Sequence, residues 1–523
     1  MARSIGKTSL VVLLAAAASS HGSPAGVAPA ETQSRRPVTP DPDREPAAVT
    51  APVSRPPTER QPAGTSTWRL TRPATEGQIE GYTLDVSADP GERVPLRVST
   101  TARHFRVEAY RFGDYDGGDA RLVWSSRRVA GHRQPGPVFS PRATRTVTAP
   151  WRNSLLLPTT GWPPGAYVLK LVASSGLQAQ VPFFVRSPDA VGKVALVAPV
   201  TSWQAYNTWG GYSLYTGQGD DRRSWAVSFD RPYPAPGAGQ MMFGVRSVVV
   251  RAERLGVPLA YLTNVDLDTH RGILSGATGY VSMGHDEYWT PGMRQSVLDA
   301  RDAGTNLAFL GADTMYWRIR LERSGTGPDR VVVGYRYDAH LDPMTSRNPA
   351  VATTAFRDAP VRQPESALTG MQYECFPVDA PYRVASPTWW GFAGTGVHRG
   401  TEFDHLVGVE ADRVYPVAST PRPLEVLSDV AYSCGGVDTS SQSVYYTTPS
   451  GAGVFNSGTL RWTCALSGDC PPYTLPASTV RFTRMVTDNV LRTFAGGPAG
   501  ERHPAHDNMT QFDLPRVNEV PAS

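Results

Sequence analysis

Two kinds of apolar spacing divide the chain. Between residues 82 and 187, short runs alternate apolar with polar positions: YTLDVSA (82–88), VPLRVST (94–100), FRVEAYRF (105–112), ARLVWSS (120–126), AYVLKLVAS (166–174) and QVPFFVRS (180–187), divided by Gly, Pro and Asp turns. A period of two broken by turn residues predicts an antiparallel β-sandwich of immunoglobulin-like type. From residue 193 the runs become continuously apolar, as in KVALVAPV (193–200), PLAYLTNV (258–265), the 280–283 region and NLAFLGA (306–312). Helical spacing fills the gaps over 243–255 and 291–303, the second helix opening with Thr290 as N-cap and Pro291 at its first position. Strands buried on both faces that alternate with helices predict a doubly wound α/β domain. After Leu321 the pattern mixes loops with strands (331–338, 443–448, 453–458), and a last amphipathic helix over 479–494 closes the domain.

The ends of the chain read differently. Arg3 and Lys7 precede a short apolar stretch from Leu10 to Ala18 followed by small residues, the layout of a secretory signal over 1–30 and too short to span a bilayer. Residues 31–77, rich in Pro, Arg, Thr and Ala, read as an extended linker. The sandwich is then expected over 78–188, the α/β domain over 189–497 and a tail over 498–523. Lys plus Arg number 51 against 47 Asp plus Glu, and the arginines are scattered, so nucleic acid is not an expected partner. No later segment is apolar for long enough to predict a membrane span. The expectation is a secreted protein. Cys375, Cys434, Cys464 and Cys470 are the 4 cysteines. An even number in an exported chain favours disulfides, and proximity in sequence favours Cys375 with Cys434 and Cys464 with Cys470.

Candidate chemistry gathers where the apolar runs stop. Tyr288 follows the third α/β run and Tyr316 the fourth, while Glu410 closes another run, HLVGVEAD (405–412). Ligands of open α/β sheets bind beyond the carboxyl ends of the strands, so two phenols and a carboxylate at run ends suggest one oxygen-rich site suited to a hard cation such as ferric iron. The same edge collects Trp203, Tyr206 and Asn207, Asp266 and Asp268, His285, and Asp313. Asp266, Asp268 and Asp313 read first as caps or turn residues. The turns G-H-D-E-Y and G-A-D-T-M-Y hold neither a cysteine nor a G-x-S-x-G elbow, which disfavours a Cys or Ser nucleophile.

The stretches TSWQAYNTWGGYSLY (201–215), FDRPY (229–233), GHDEYW (284–289), TMYWRIR (314–320), LVGVEADRVYP (406–416) and GVFNSGTLRW (453–462) resemble the C-terminal domain of the large (beta) subunit of N,N-dimethylformamidase and its exported relatives. The resemblance spans roughly 190–495. It implies a fold related to class I glutamine amidotransferases without their cysteine. It also implies a mononuclear Fe3+ site, carried by motif onto Tyr288, Tyr316 and Glu410, with His285 or a nearby carboxylate as general base and Asn456 orienting the substrate. Tyr335, Tyr337 and Glu374 are competing oxygen donors. The implied activity is metal-dependent hydrolysis of a C–N amide bond in a small molecule. The alternative is a non-catalytic secreted protein that binds carbohydrate or cell wall, with Trp203, Tyr206, Trp209 and Tyr212 as a platform for a glycan.

Overall fold

A computed structural model describes residues 63–218 and 223–515. The expected leader and most of the expected linker lie outside these residues. The architecture is mixed α/β and dominated by sheet. No described helix is long and apolar enough to cross a membrane.

The alternating runs form two facing sheets. One is antiparallel, with Arg93–Thr100 between Ile79–Thr83 and Leu155–Pro158. The other runs through Gln178–Val185, Gly165–Ala173, His104–Tyr115 and Gly118–Ser125, also antiparallel. Val94, Leu96 and Val98 of the first sheet share one core with Val107, Leu169 and Phe183 of the second, because inward positions recur every two residues. The stretch read as linker ends sooner than residue 77. Trp68 is buried and its indole N–H donates to Asp119, and the Ala74 N–H donates to the Gln178 carbonyl. A single large aromatic supplies the apolar area that the surrounding Pro-rich sequence lacks.

The continuous runs form a seven-stranded sheet in the order Leu259–Thr263, Val194–Ala198, Gly279–Ser282, Asn306–Phe309, Gly453–Asn456, Val437–Thr447, Leu424–Cys434. The first five are parallel and the last two antiparallel. Successive residues feed opposite cores. Val194, Leu196, Val281, Ala308 and Phe455 pack with Val248, Phe482 and Val490, while Ala195, Val197, Tyr280, Leu307 and Val454 pack with Leu267, Met293 and Val297. Helices therefore cover both faces: Arg246–Arg254 and Ala477–Ala495 on one, Asn264–Thr269 and Pro291–Asp302 on the other. Thr290 caps Pro291–Asp302 as the sequence predicts, its hydroxyl accepting from the Met293 N–H at 3.0 Å. The helix expected over 243–255 begins instead with a π-helical turn, Met241–Val245.

Both expected disulfides are present, Cys375–Cys434 and Cys464–Cys470. Residues beyond 498 are not simply a tail, since Ala505 and Met509 are buried and the Asn508 side chain bonds Ser386 and the backbone of Val426.

Candidate metal centre

The strands Gly279–Ser282 and Asn306–Phe309 end in two turns that press backbone to backbone. A Cβ at Gly311 would collide with the Gly284 carbonyl oxygen, so the close approach requires glycine. The first turn delivers His285, Asp286, Glu287 and Tyr288, and the second delivers Asp313 to Tyr316. Asp313 (φ 55) and Met315 (φ 61) are left-handed, which costs a non-glycine residue about 1–3 kcal/mol. The Asp313 N–H offsets part of that cost by donating to Asp412 Oδ1 at 2.8 Å. A two-rung parallel ladder sets Trp317 opposite Tyr288.

Glu410 arrives by a route the sequence pattern does not show. It lies inside a strand, Glu402–Arg413, that pairs antiparallel with Gln372–Arg383 in a two-stranded sheet of their own. This strand pair is fastened to the loop after Gly453–Asn456: the Arg461 N–H donates to the Gly408 carbonyl (2.7 Å), Asp412 N–H to Gly458 (3.0 Å) and Leu460 N–H to Glu410 (3.2 Å). Those bonds bring Glu410 over the carboxyl edge of the parallel strands.

There His285, Asp313 and Glu410 each place a donor atom within 4.8 Å of the other two. Glu410 Oε2 lies 3.5 Å from His285 Nε2. Neither that oxygen nor Asp313 Oδ1 has a hydrogen-bond partner, and both are buried. Burial, with Glu287 and Asp412 adding to it against His285, pushes the Glu410 carboxyl up to about 7. Burial and the neighbouring Glu287 and Glu410 raise Asp313 well above the carboxylate range. For His285, burial would lower the pKa, but Glu410 and Glu287 outweigh it and lift the imidazole to about 9. Burial likewise lifts Asp412 to about 7.

A second ring of hydrogen bonds surrounds this cluster. Glu287 Oε2 is 3.1 Å from His285 Nε2 and accepts from the Tyr206 hydroxyl at 2.6 Å, while Oε1 accepts from Tyr215 at 2.5 Å. The Tyr288 hydroxyl donates to Tyr215 (2.6 Å) and accepts from Arg336 Nη1 (3.2 Å). Burial raises the Tyr288 pKa well above its usual value, with Arg336 opposing. The Tyr316 ring lies under the Arg357 guanidinium at 4.9 Å and meets the Tyr373 ring edge-on at 5.5 Å. Asn456 is fully buried. Its amide N–H donates to the Thr369 carbonyl (3.3 Å), and its oxygen accepts from the Gly458 N–H (3.0 Å).

The contacts thus join His285 and Glu410 directly and attach Tyr288 through Tyr215 and Glu287. Tyr316 borders the cluster on the side of Asp313, whose charge it feels. Among the competing donors, Tyr335 stacks on Trp225 (5.3 Å) and Glu374 is held by Tyr415, Arg413 and Thr439, both away from the cluster. Tyr337 stays beside Tyr316 and is 66% exposed. Asp266 caps its helix through Thr263 and Asp268 accepts from Thr290, as turn residues do. Trp203 and Trp209 are buried and offer no open platform. Asp313 departs from the turn reading, because its free oxygen belongs to the cluster. Tyr215 stands in a quoted motif, whereas Arg336 and Arg357 carry no sequence signal.

A hard cation fits these residues. A buried carboxylate oxygen short of donors is costly, and Asp313 and Glu410 beside the His285 imidazole form a largely oxygen donor set of the kind that suits a hard cation.

Comparison with known proteins agrees with the motifs. No curated protein matches the chain. A cycloisomaltooligosaccharide glucanotransferase from Paenibacillus sp., solved with cycloisomaltoheptaose, aligns at 10% identity over 47% of this chain and 29% of its own length, with a TM-score of 0.14; so low a score carries no argument. The model of a protein family described as N,N-dimethylformamidase beta subunit-like, C-terminal, matches residues 106–474. That match begins inside the sandwich rather than near 190 and takes in Tyr206, His285, Tyr288, Asp313, Tyr316, Glu410 and Asn456. The chain therefore belongs to the N,N-dimethylformamidase beta subunit-like C-terminal family.

Proposed function

We propose that the chain is a secreted, iron-dependent hydrolase of a C–N amide bond and that Glu410 is its central metal ligand. The observation that carries this reading is the convergence of two buried carboxyl oxygens with His285, Asp313 Oδ1 having no hydrogen-bond partner and Glu410 Oε2 facing only the imidazole at 3.5 Å. The family is named for an amidase, and the two disulfides fit an oxidising compartment. Glu410 is the donor on which resemblance and geometry coincide. Asp313 and His285 stand beside it, and the phenols of Tyr288 and Tyr316 complete the oxygen-rich surroundings as the ligands the resemblance names. When bound, such an ion supplies Lewis-acid polarisation of the substrate carbonyl.

The remaining chemistry belongs to the chain. His285 and Glu287, 3.1 Å apart at the edge of the cluster, are the pair that moves protons to and from the substrate. Tyr206 and Tyr215 fix both oxygens of Glu287. Asn456 acts as a positioning residue, since it holds the Gly458 N–H, the Gly458 carbonyl accepts from the Asp412 N–H, and Asp412 in turn holds the backbone of Asp313. The test is amine release from a panel of small linear amides by the iron-loaded chain, beside Glu410→Ala. Turnover that depends on Glu410 supports the proposal. An iron-loaded chain that cleaves none of the panel refutes it.

A further inference from the structure

The FDRPY motif (229–233) has no part in the metal cluster, yet it buries a charge. Arg231 is 1% exposed. Its Nη1 donates to the carbonyls of Trp209 (3.0 Å) and Tyr212 (2.8 Å), and its Nη2 to those of Asn207 (2.9 Å) and Gln204 (3.5 Å). Its Nε is buried and has no partner. The adjacent Asp230 is committed elsewhere, to Arg330 (3.0 Å), Ser324 (2.6 Å) and Thr326 (2.7 Å). No ion pair to Arg231 exists among the described residues. Carbonyl dipoles bring only partial charge, so a whole positive charge stands uncompensated at low dielectric. Burial accordingly pulls its pKa down to about 9, with only Tyr233 opposing.

Arg231 also lines a cavity of about 20 Å³ where the sandwich meets the α/β body, its wall mostly apolar (Val86, Val181, Phe184, Val200) with Thr83 and Gln204 among its polar members. A cavity needs about 10–15 Å³ to hold one water. That volume is enough for a single small particle.

We propose that the cavity is a structural halide site, in which one chloride held by the Arg231 Nε–H compensates the guanidinium. Mostly apolar walls favour a weakly hydrated halide over fluoride, whose dehydration is more costly. The ion would sit behind the 204–212 loop whose carbonyls Arg231 gathers. That loop contains Tyr206 and leads into Tyr215, so the halide would set the rigidity of the Glu287 hydrogen bonds without touching the metal cluster.

The experiment is thermal unfolding of the full chain at constant ionic strength while chloride is exchanged for bromide, fluoride or gluconate, together with the anomalous difference map of crystals grown in bromide. The proposal requires Tm to rise with the logarithm of chloride or bromide concentration but not with fluoride or gluconate, and an anomalous peak beside Arg231 Nε. Arg231→Met should abolish the halide dependence. A Tm that stays the same whichever anion is present, or a cavity holding water without anomalous signal, overturns the proposal. The bromide map of the unaltered chain decides independently of whether Arg231→Met folds.

Discussion

Replacing Glu410 with glutamine keeps the shape of the side chain and removes its charge, so it sets the metal role against a purely structural one. In the metal-free chain two effects compete. The His285 imidazole at 3.5 Å favours the carboxylate by about 5 kcal/mol at an effective dielectric near 20, and desolvation of a buried carboxylate costs several kcal/mol. Desolvation wins, because the carboxyl is displaced upward from 4.5 to about 7 despite His285. At pH 7 that displacement corresponds to about 3 kcal/mol of destabilisation. A carboxyl raised in the folded state is most penalised above its folded pKa, and the penalty fades as pH falls towards the unfolded value. Glu410→Gln should therefore raise the urea midpoint of the metal-free protein at pH 7–8, have little effect near pH 4.5, and lower iron binding at every pH. His285 keeps Glu287 as a partner at 3.1 Å, so loss of the second carboxylate does not strand it. A variant that is less stable than the parent at pH 8 would show that the pairing outweighs desolvation, and the reasoning would fail.

Other expectations follow from single contacts. Reducing Cys375–Cys434, which closes a separation of 59 residues, should cost about 4 kcal/mol by loop entropy, read as a lower urea midpoint with reductant, whereas Cys464–Cys470, separated by 6, should contribute about 2 kcal/mol. Trp68→Ala should destabilise the sandwich by about 3–5 kcal/mol and make residues 63–77 protease-sensitive; an unchanged cleavage pattern would contradict the packing described. The buried Asp342 would be raised by burial, but Arg320 (2.6 Å), Thr353 and the Met344 N–H hold it below its usual pKa. Its contribution is thus present above about pH 4 and lost as pH falls through the lower folded value. Asp342→Asn should be less stable at neutral pH with a shallower acid limb, checked by urea midpoints from pH 2.5 to 7.

The legible parts of the fold are those where a local pattern has one structural solution. Val194–Ala198 and Asn306–Phe309 are buried on both faces, which leaves continuous apolar runs, and Thr290-Pro291 marks a helix start with side-chain chemistry alone. His285, Tyr288 and Asp313 could be assigned to one edge because each follows such a strand. Glu410 shared that edge for another reason, since its position depends on a strand pair fastened to residues 458–461, and no local periodicity reports that pairing. The place of Asp313 in the cluster escapes the sequence for a similar cause. A turn aspartate usually caps a neighbouring N–H, but here Asp412, 99 residues away, supports the backbone and leaves an oxygen free. Arg336 reaches Tyr288 across 48 residues, again beyond any window of sequence. Trp68 gives no sequence signal because one aromatic does not change the composition of a Pro-rich stretch.

The most direct test of the account is the metal content of the purified full chain after loading with iron and removal of excess, measured by elemental analysis beside Glu410→Ala and Asp313→Ala, with the visible spectrum of each. The account predicts one iron per chain in the parent, loss of that iron in Glu410→Ala, and a visible charge-transfer band if a tyrosinate is bound. A colourless, iron-free parent, or iron retained in full by Glu410→Ala, would contradict it.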